Sequence, residues 1–194
     1  MHDEPNPWLA TRRLSGDDYD ARYDADAQAG KDVHGEANCV CSYGVSSVLD
    51  AGCGTGRVGR ELARRALDVV GVDIDPEMLA TARRKAPHVD WRHADLETVD
   101  LARTFDAAVA AGNVMIFLVP GTERAVIGNL ARHLSPGGLL IAGFQLRRDR
   151  MPLDRYDALC LDAGLELHER FATWDKAPWS PANDYAVSVH RRRV

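Results

Sequence analysis

The sequence has no apolar run approaching the roughly 20 residues that a membrane-crossing helix needs. Its first residues, Met1-His2-Asp3-Glu4-Pro5, carry neither a basic start nor an apolar stretch. No secretory signal is read there, and a cytoplasmic location is the expectation. Cysteine is scarce: Cys39, Cys41, Cys53 and Cys160 are the only four. None forms a C-x-x-C pair and no Cys/His set has zinc spacing, so neither a redox pair nor a metal site is read, and all four are expected free and reduced. Positive charge is not in excess either. Lys and Arg number 24 against 29 Asp and Glu, a net charge of −5, which argues against a broad nucleic-acid surface. The run Arg191-Arg192-Arg193 is a local exception and reads as a solvated tail. Repeats and low-complexity stretches are missing. What remains is 194 residues, 45% hydrophobic and 27% charged, which suits one globular domain with a real core but not two.

The strongest positive signal is Val48 to Gly56, V-L-D-A-G-C-G-T-G. Strand-like residues run into three glycines at alternate positions, and an amphipathic helix pattern follows. A strand, a bare turn and a helix leave a surface on which a ligand can lie against the backbone, facing the free N–H groups of the helix. The dinucleotide pattern G-x-G-x-x-G/A fails, because the third glycine comes one residue early, at Gly56. The phosphate-loop pattern fails as well, since no Lys-Ser or Lys-Thr pair follows. Asp50 at the strand end repels a pyrophosphate and attracts a cation. The ligand expected from these residues is a phosphate-free nucleoside with positive charge nearby.

Asp50-Ala51-Gly52-Cys53-Gly54-Thr55-Gly56 resembles the first motif of the class I methyltransferases that use S-adenosylmethionine, whose donor is a sulfonium bearing an ammonium group and an adenosine. The likeness extends from about Ser46 to Phe144. It implies that Asp50, Gly52, Cys53, Gly54 and Gly56 border the donor, and that Asp73, ending Leu67-Asp68-Val69-Val70-Gly71-Val72-Asp73, takes the ribose hydroxyls. Ile74 would pack on the adenine, Asp95 would accept its exocyclic amine and Leu96 would offer a backbone N–H. Gly112 and Asn113, after Phe105-Asp106-Ala107-Ala108-Val109-Ala110-Ala111, fall where the family contacts donor and acceptor. No Asn-Pro-Pro-Tyr or Asp-Pro-Pro-Tyr run follows, which demotes base and amide nitrogens as acceptors. The implied reaction is methyl transfer to a small-molecule acceptor, with no nucleic-acid or membrane partner. The alternatives are a module that binds the donor without transfer, and a nicotinamide oxidoreductase, which the early third glycine and the missing substrate domain disfavour.

Strand signals fall near 46–50, 68–73, 89–94, 104–110, 138–144, 165–171 and 184–190, and helix signals near 57–66, 76–86, 121–134 and 152–163. The alternation predicts an α/β fold: a single Rossmann-like, doubly wound sheet of about seven strands, mostly parallel. The last two strands are joined too briefly for a crossover helix, so the C-terminal strand is expected antiparallel. Asp75 and Pro76 read as the cap and first residue of a helix. Ser135-Pro136-Gly137-Gly138 reads as a sharp turn before a strand.

Residues 1–44 are expected to form lid helices, and 45–194 the methyltransferase domain. Tyr19, Tyr23 and Ala27 share one helical face over 17–30, and a second helix spans about 33–43. Tyr23 is placed at the donor. Any general base would be sought among His34, Tyr19 and Tyr23, but none is assigned. Arg147, Arg148 and Arg150 are read as a solvated basic loop in preference to an anion clamp. Trp174, Pro178, Trp179 and Pro181 either wall a pocket or pack on the N-terminal helices.

Overall fold

The structure is a computed structural model that describes residues 5–147 and 149–194. Arg148 therefore lies outside the described residues, as do Met1 to Glu4. Three helices precede the sheet: α1 (Pro7–Thr11), α2 (Gly16–Gln28) and α3 (Gly35–Cys41). Then follow β1 (Ser47–Ala51), α4 (Arg57–Arg64), β2 (Asp68–Asp73), α5 (Pro76–Lys85), β3 (Asp90–His93), β4 (Phe105–Ala110) and a short 3₁₀ turn, Val114–Ile116. The chain continues with α6 (Glu123–Arg132), β5 (Leu134–Gln145), α7 (Leu153–Asp162), β6 (Leu165–Phe171) and β7 (Tyr185–Arg192). Among the described residues no helix is long and apolar enough to cross a membrane.

The strand order is β3-β2-β1-β4-β5-β7-β6. The neighbours from β3 to β5 are parallel, and β7 is antiparallel to both β5 and β6. The C-terminal strand thus fills an interior slot and leaves β6 at the edge. Apolar residues stand on both faces of the central strands because both faces are covered. Val48, Val109 and Ile141 pack toward α4, α5 and α3, where Leu62, Leu79 and Val40 meet them. Leu49, Ala108 and Leu140 face α6 and α7, with Ile127, Leu130 and Tyr156. Chain direction across the sheet reverses between β1 and β4. In a doubly wound sheet the crevice at such a reversal, beyond the carboxyl ends of the strands, is where ligands lie.

Asp75 and Pro76 begin α5 as expected: the Asp75 side chain accepts the Glu77 and Met78 N–H groups. Two features differ from the sequence reading. Ser135–Gly138 is not a separate turn but part of β5. Phe105 pairs with Leu134 and Ala107 with Leu139, so Asp106 alone stands opposite a four-residue bulge. Pro136 cannot donate to the ladder and Gly137 has φ +78°, so bulging suits this run better than pairing. The helix α1 was not foreseen. It is five residues long, too short to show periodicity, and starts with Asn6 accepting the Trp8 N–H at 2.9 Å and with Pro7 in the first turn.

Candidate functional site

A cleft opens at the crevice beyond β1 and β4, with about 930 Å³ of space, open solvent included, among its lining residues. One wall is the glycine turn. Gly54 has φ +54° and a Cβ there would stand free of any neighbour within 4 Å, while at Gly112, φ +70°, a Cβ would approach only the Tyr19 hydroxyl at 3.7 Å. Both positions leave bare backbone toward the cleft. A side chain there would take ligand space and force an L-residue into left-handed backbone.

Three carboxylates border the cleft. Asp50 is buried at the end of β1 and accepts the Gly59 N–H at 2.8 Å. Burial pushes its carboxyl up to about 7, although that N–H opposes the change. Asp73 ends β2 and accepts the Gly54 N–H at 2.7 Å and the Asp75 N–H at 2.8 Å. Burial raises its pKa as well. A carboxylate has about four acceptor positions, which leaves room on Asp73 for a further hydroxyl donor. Asp95, beyond β3, is exposed and accepts the Glu97 N–H at 2.8 Å. Ile74, Met78, Leu96, Val114, Phe117 and Leu118 make the walls between them apolar. Cys53 is buried there and burial holds its thiol far above the ordinary value, so it is not a thiolate nucleophile.

Of the residues expected at the donor, Asp50, Gly52, Cys53, Gly54, Asp73, Ile74, Asp95, Leu96 and Gly112 line this one cleft. Gly56, Asn113 and Tyr23 do not line it. A Cβ on Gly56 would meet the Trp91 ring at 2.5 Å, so that glycine admits Trp91 under the turn. Asn113 accepts the Gln145 N–H at 2.8 Å and donates to the Gly143 carbonyl at 3.3 Å, tying the loop after β4 to the end of β5. Tyr23 lies under the Arg57 guanidinium, 4.1 Å from its ring centroid, and its hydroxyl accepts from Arg22 at 2.7 Å. One turn earlier, Tyr19 is the α2 tyrosine that reaches the wall; burial pushes its hydroxyl up to about 12. His34 lies outside the wall, its Nε2 3.9 Å from Glu61.

Asn6, Trp8, Thr55, Arg57 and Phe117 also line the cleft and were not read from the sequence. Arg57 is bound by Glu36 and by the Val33 carbonyl at 2.6 Å, so its charge is matched without an anionic ligand. Helix α2 is fixed through Asp20. Its buried carboxylate accepts from Thr55 Oγ1 at 2.5 Å, Arg60 at 2.9 Å and Lys85 at 2.5 Å. The arginine loop and the two tryptophans stand elsewhere. Arg147 pairs with Asp149 at 2.9 Å. Trp174 donates to the Tyr185 hydroxyl at 3.1 Å and packs beside Gly35 of α3, while Trp179 lies under Arg170.

Bare backbone, buried carboxylates, apolar flanks and a neutralised arginine define a receptor for a phosphate-free nucleoside with a cationic group. Comparison with known proteins agrees. A family profile described as "Methyltransferase domain" matches residues 48–138. A TehB-like SAM-dependent methyltransferase from Corynebacterium glutamicum superposes with a TM-score of 0.83 at 32% identity, over 92% of this chain and 98% of that one. The dTDP-3-amino-3,4,6-trideoxy-alpha-D-glucopyranose N,N-dimethyltransferase of Streptomyces venezuelae is 30% identical over 119 residues, 58% of this chain and 50% of that protein. The chain thus spans about half the length of that curated relative. SAM-bound CalS10, an amino pentose methyltransferase from Micromonospora echinaspora, shares the fold, with a TM-score of 0.75 at 23% identity over 93% of this chain and 99% of that one. The chain belongs to the class I S-adenosylmethionine-dependent methyltransferases. As a member of that family its cofactor is S-adenosyl-L-methionine, and the cleft residues fit that group.

Proposed function

We propose that the protein transfers a methyl group from S-adenosylmethionine to a small-molecule acceptor. The observation that carries this is the convergence of Asp50, Asp73 and Asp95 with the bare Gly52–Gly54 backbone on one cleft at the sheet's reversal point. In this reading Asp73 holds the ribose hydroxyls, Asp50 faces the ammonium, and Asp95 and Leu96 meet the adenine between apolar walls. When bound, the cofactor supplies an electrophilic methyl on a sulfonium. The protein's part is to hold the reactants in line and to keep water away.

Among the described wall residues, none is suited to act as a general base. Tyr19 keeps its proton at neutral pH, and Asp50, Asp73 and Asp95 are committed to the donor. The acceptor therefore brings its own nucleophile, as a free amine, a carboxylate or a thiolate. The aminosugar dimethyltransferase among the relatives supports an amine. A cytoplasmic location is supported by the four free cysteines, Cys39, Cys41, Cys53 and Cys160.

The test is incubation with methyl-labelled donor and a panel of amines, carboxylates and thiols, with S-adenosylhomocysteine binding followed by calorimetry. Labelled product is expected with one class. Tight binding with no transfer to any class would leave a binding module instead. Asp73→Asn should weaken S-adenosylhomocysteine by about 1.5–3 kcal/mol, or roughly 10- to 150-fold. Unchanged binding would remove the ribose role.

A further inference from the structure

Asp75 does more than begin α5. Its side chain is fully buried and both of its oxygens are engaged. Oδ1 accepts the Glu77 N–H at 3.0 Å and the Met78 N–H at 3.4 Å, which is the helix cap. Oδ2 accepts the indole N–H of Trp8 at 2.9 Å and lies 2.5 Å from Arg12 Nε. Arg12 also reaches Glu77 at 2.6 Å and the Leu14 carbonyl at 3.3 Å. On its other side, the Asp75 backbone N–H donates to Asp73 Oδ1 at 2.8 Å.

A cap needs one oxygen, and Asn caps about as well as Asp. The second oxygen and the charge are surplus to that task. A fully buried carboxylate needs a matching cation, so Asp75 stays buried only while Arg12 stays in place. Arg12 and Trp8 both belong to α1 and its C-cap. Trp8 is itself a wall of the cleft and meets Phe117, another wall residue, edge-on at 5.4 Å.

We propose that Asp75 is a positioning residue that latches the Trp8–Arg12 segment over the cleft and couples its closure to occupation of Asp73. This rests on the reading of Asp73 as the ribose acid. Coupling of this kind is reciprocal: a ligand that fixes Asp73 holds the segment shut, and a shut segment holds the ligand.

Asp75→Asn in the full chain keeps the cap oxygen but turns an amide N–H₂ toward the Trp8 indole N–H and the Arg12 cation. Two readouts decide: calorimetric affinity for S-adenosylhomocysteine, and the rate of tryptic cleavage after Arg13 with and without it. In the parent protein the ligand should slow the cut. In the variant the affinity should fall roughly tenfold and the ligand should no longer slow the cut, with the ligand-free melting temperature lowered by a few degrees by the broken buried pair. Trp8→Phe keeps an aromatic wall, removes the indole N–H together with part of the ring surface, and should abolish the ligand's protection of the cut. It decides the matter alone if Asp75→Asn fails to fold. Parent-like affinity and protection in both variants would overturn the latch. Failure of the parent itself to bind S-adenosylhomocysteine would instead bring down the donor reading on which the latch rests.

Discussion

Asp50 is where the fold changes a single side chain most usefully. Burial moves its carboxyl from an ordinary 3.8 to about 7, above its unfolded value. Between those values the folded chain binds the extra proton, so this group's contribution to stability is complete below pH 3.8 and is lost as pH rises through about 7. A ligand ammonium reverses the preference, since it pairs with the ionised form. Affinity for S-adenosylhomocysteine should therefore rise between pH 6 and pH 8, with proton release on binding near pH 6. Calorimetry at both pH values, in two buffers of different ionisation enthalpy, checks this; equal affinities without proton release would take the ammonium away from Asp50. At this scale the sequence was legible where residues sit in a run of fixed geometry. The glycine turn and the acids ending β2 and β3 reach the cleft because a strand end can point nowhere else. Tyr23 and Tyr19 share one helical face, and only the tilt of α2 decides which touches the cleft. Trp8 sits on a helix too short to leave a pattern, and Asn113 sits in the loop after β4 but ties it to the end of β5.

Among the elements, α2 is unusual in how it is held. Its buried residues are only Gly16 and Asp20, so little apolar surface fixes it. Polar ties do so instead, through Asp20 to Thr55, Arg60 and Lys85, and through Asp17 to Arg84. Elements with few apolar contacts open most readily, so α2 should open more readily than the sheet. Asp20→Ala strands the Thr55 hydroxyl and two cations and should cost about 2 kcal/mol. Hydrogen exchange should quicken in α2 and leave β1, β4 and β5 protected. Slow exchange kept in α2 would show that Asp20 is not the anchor. The element pattern itself was readable, because strands buried on both faces are apolar runs and the helices between them repeat at their own period. The β5 bulge was not, since Pro-Gly-Gly reads alike in a turn and in a bulge, and only the partner strand distinguishes them.

For the molecule as a whole, the reversal of strand order places the cleft before any side chain is considered. Packing also bears on the boundary read at residue 44. Ala37 and Val40 of α3 are buried in the cluster that supports the sheet, whereas α1 and α2 lie over the cleft. Removing residues 1–30 should leave a chain that melts cooperatively but does not bind S-adenosylhomocysteine. Removing residues 1–44 should also lower the melting temperature by several degrees. Circular dichroism melts with calorimetry separate the outcomes, and equal melting of the two truncations would argue that α3 belongs to the lid. The interior slot taken by Tyr185–Arg192 has one more consequence, for synthesis on the ribosome. The edge of β5 from Leu139 to Gln145 has no partner until that strand emerges, 47 residues after Gln145. At about 5–20 residues per second the nascent chain displays that bare apolar edge for roughly 2–9 seconds. During those seconds it is the segment that a chaperone would grip, or that two unfinished chains would pair through.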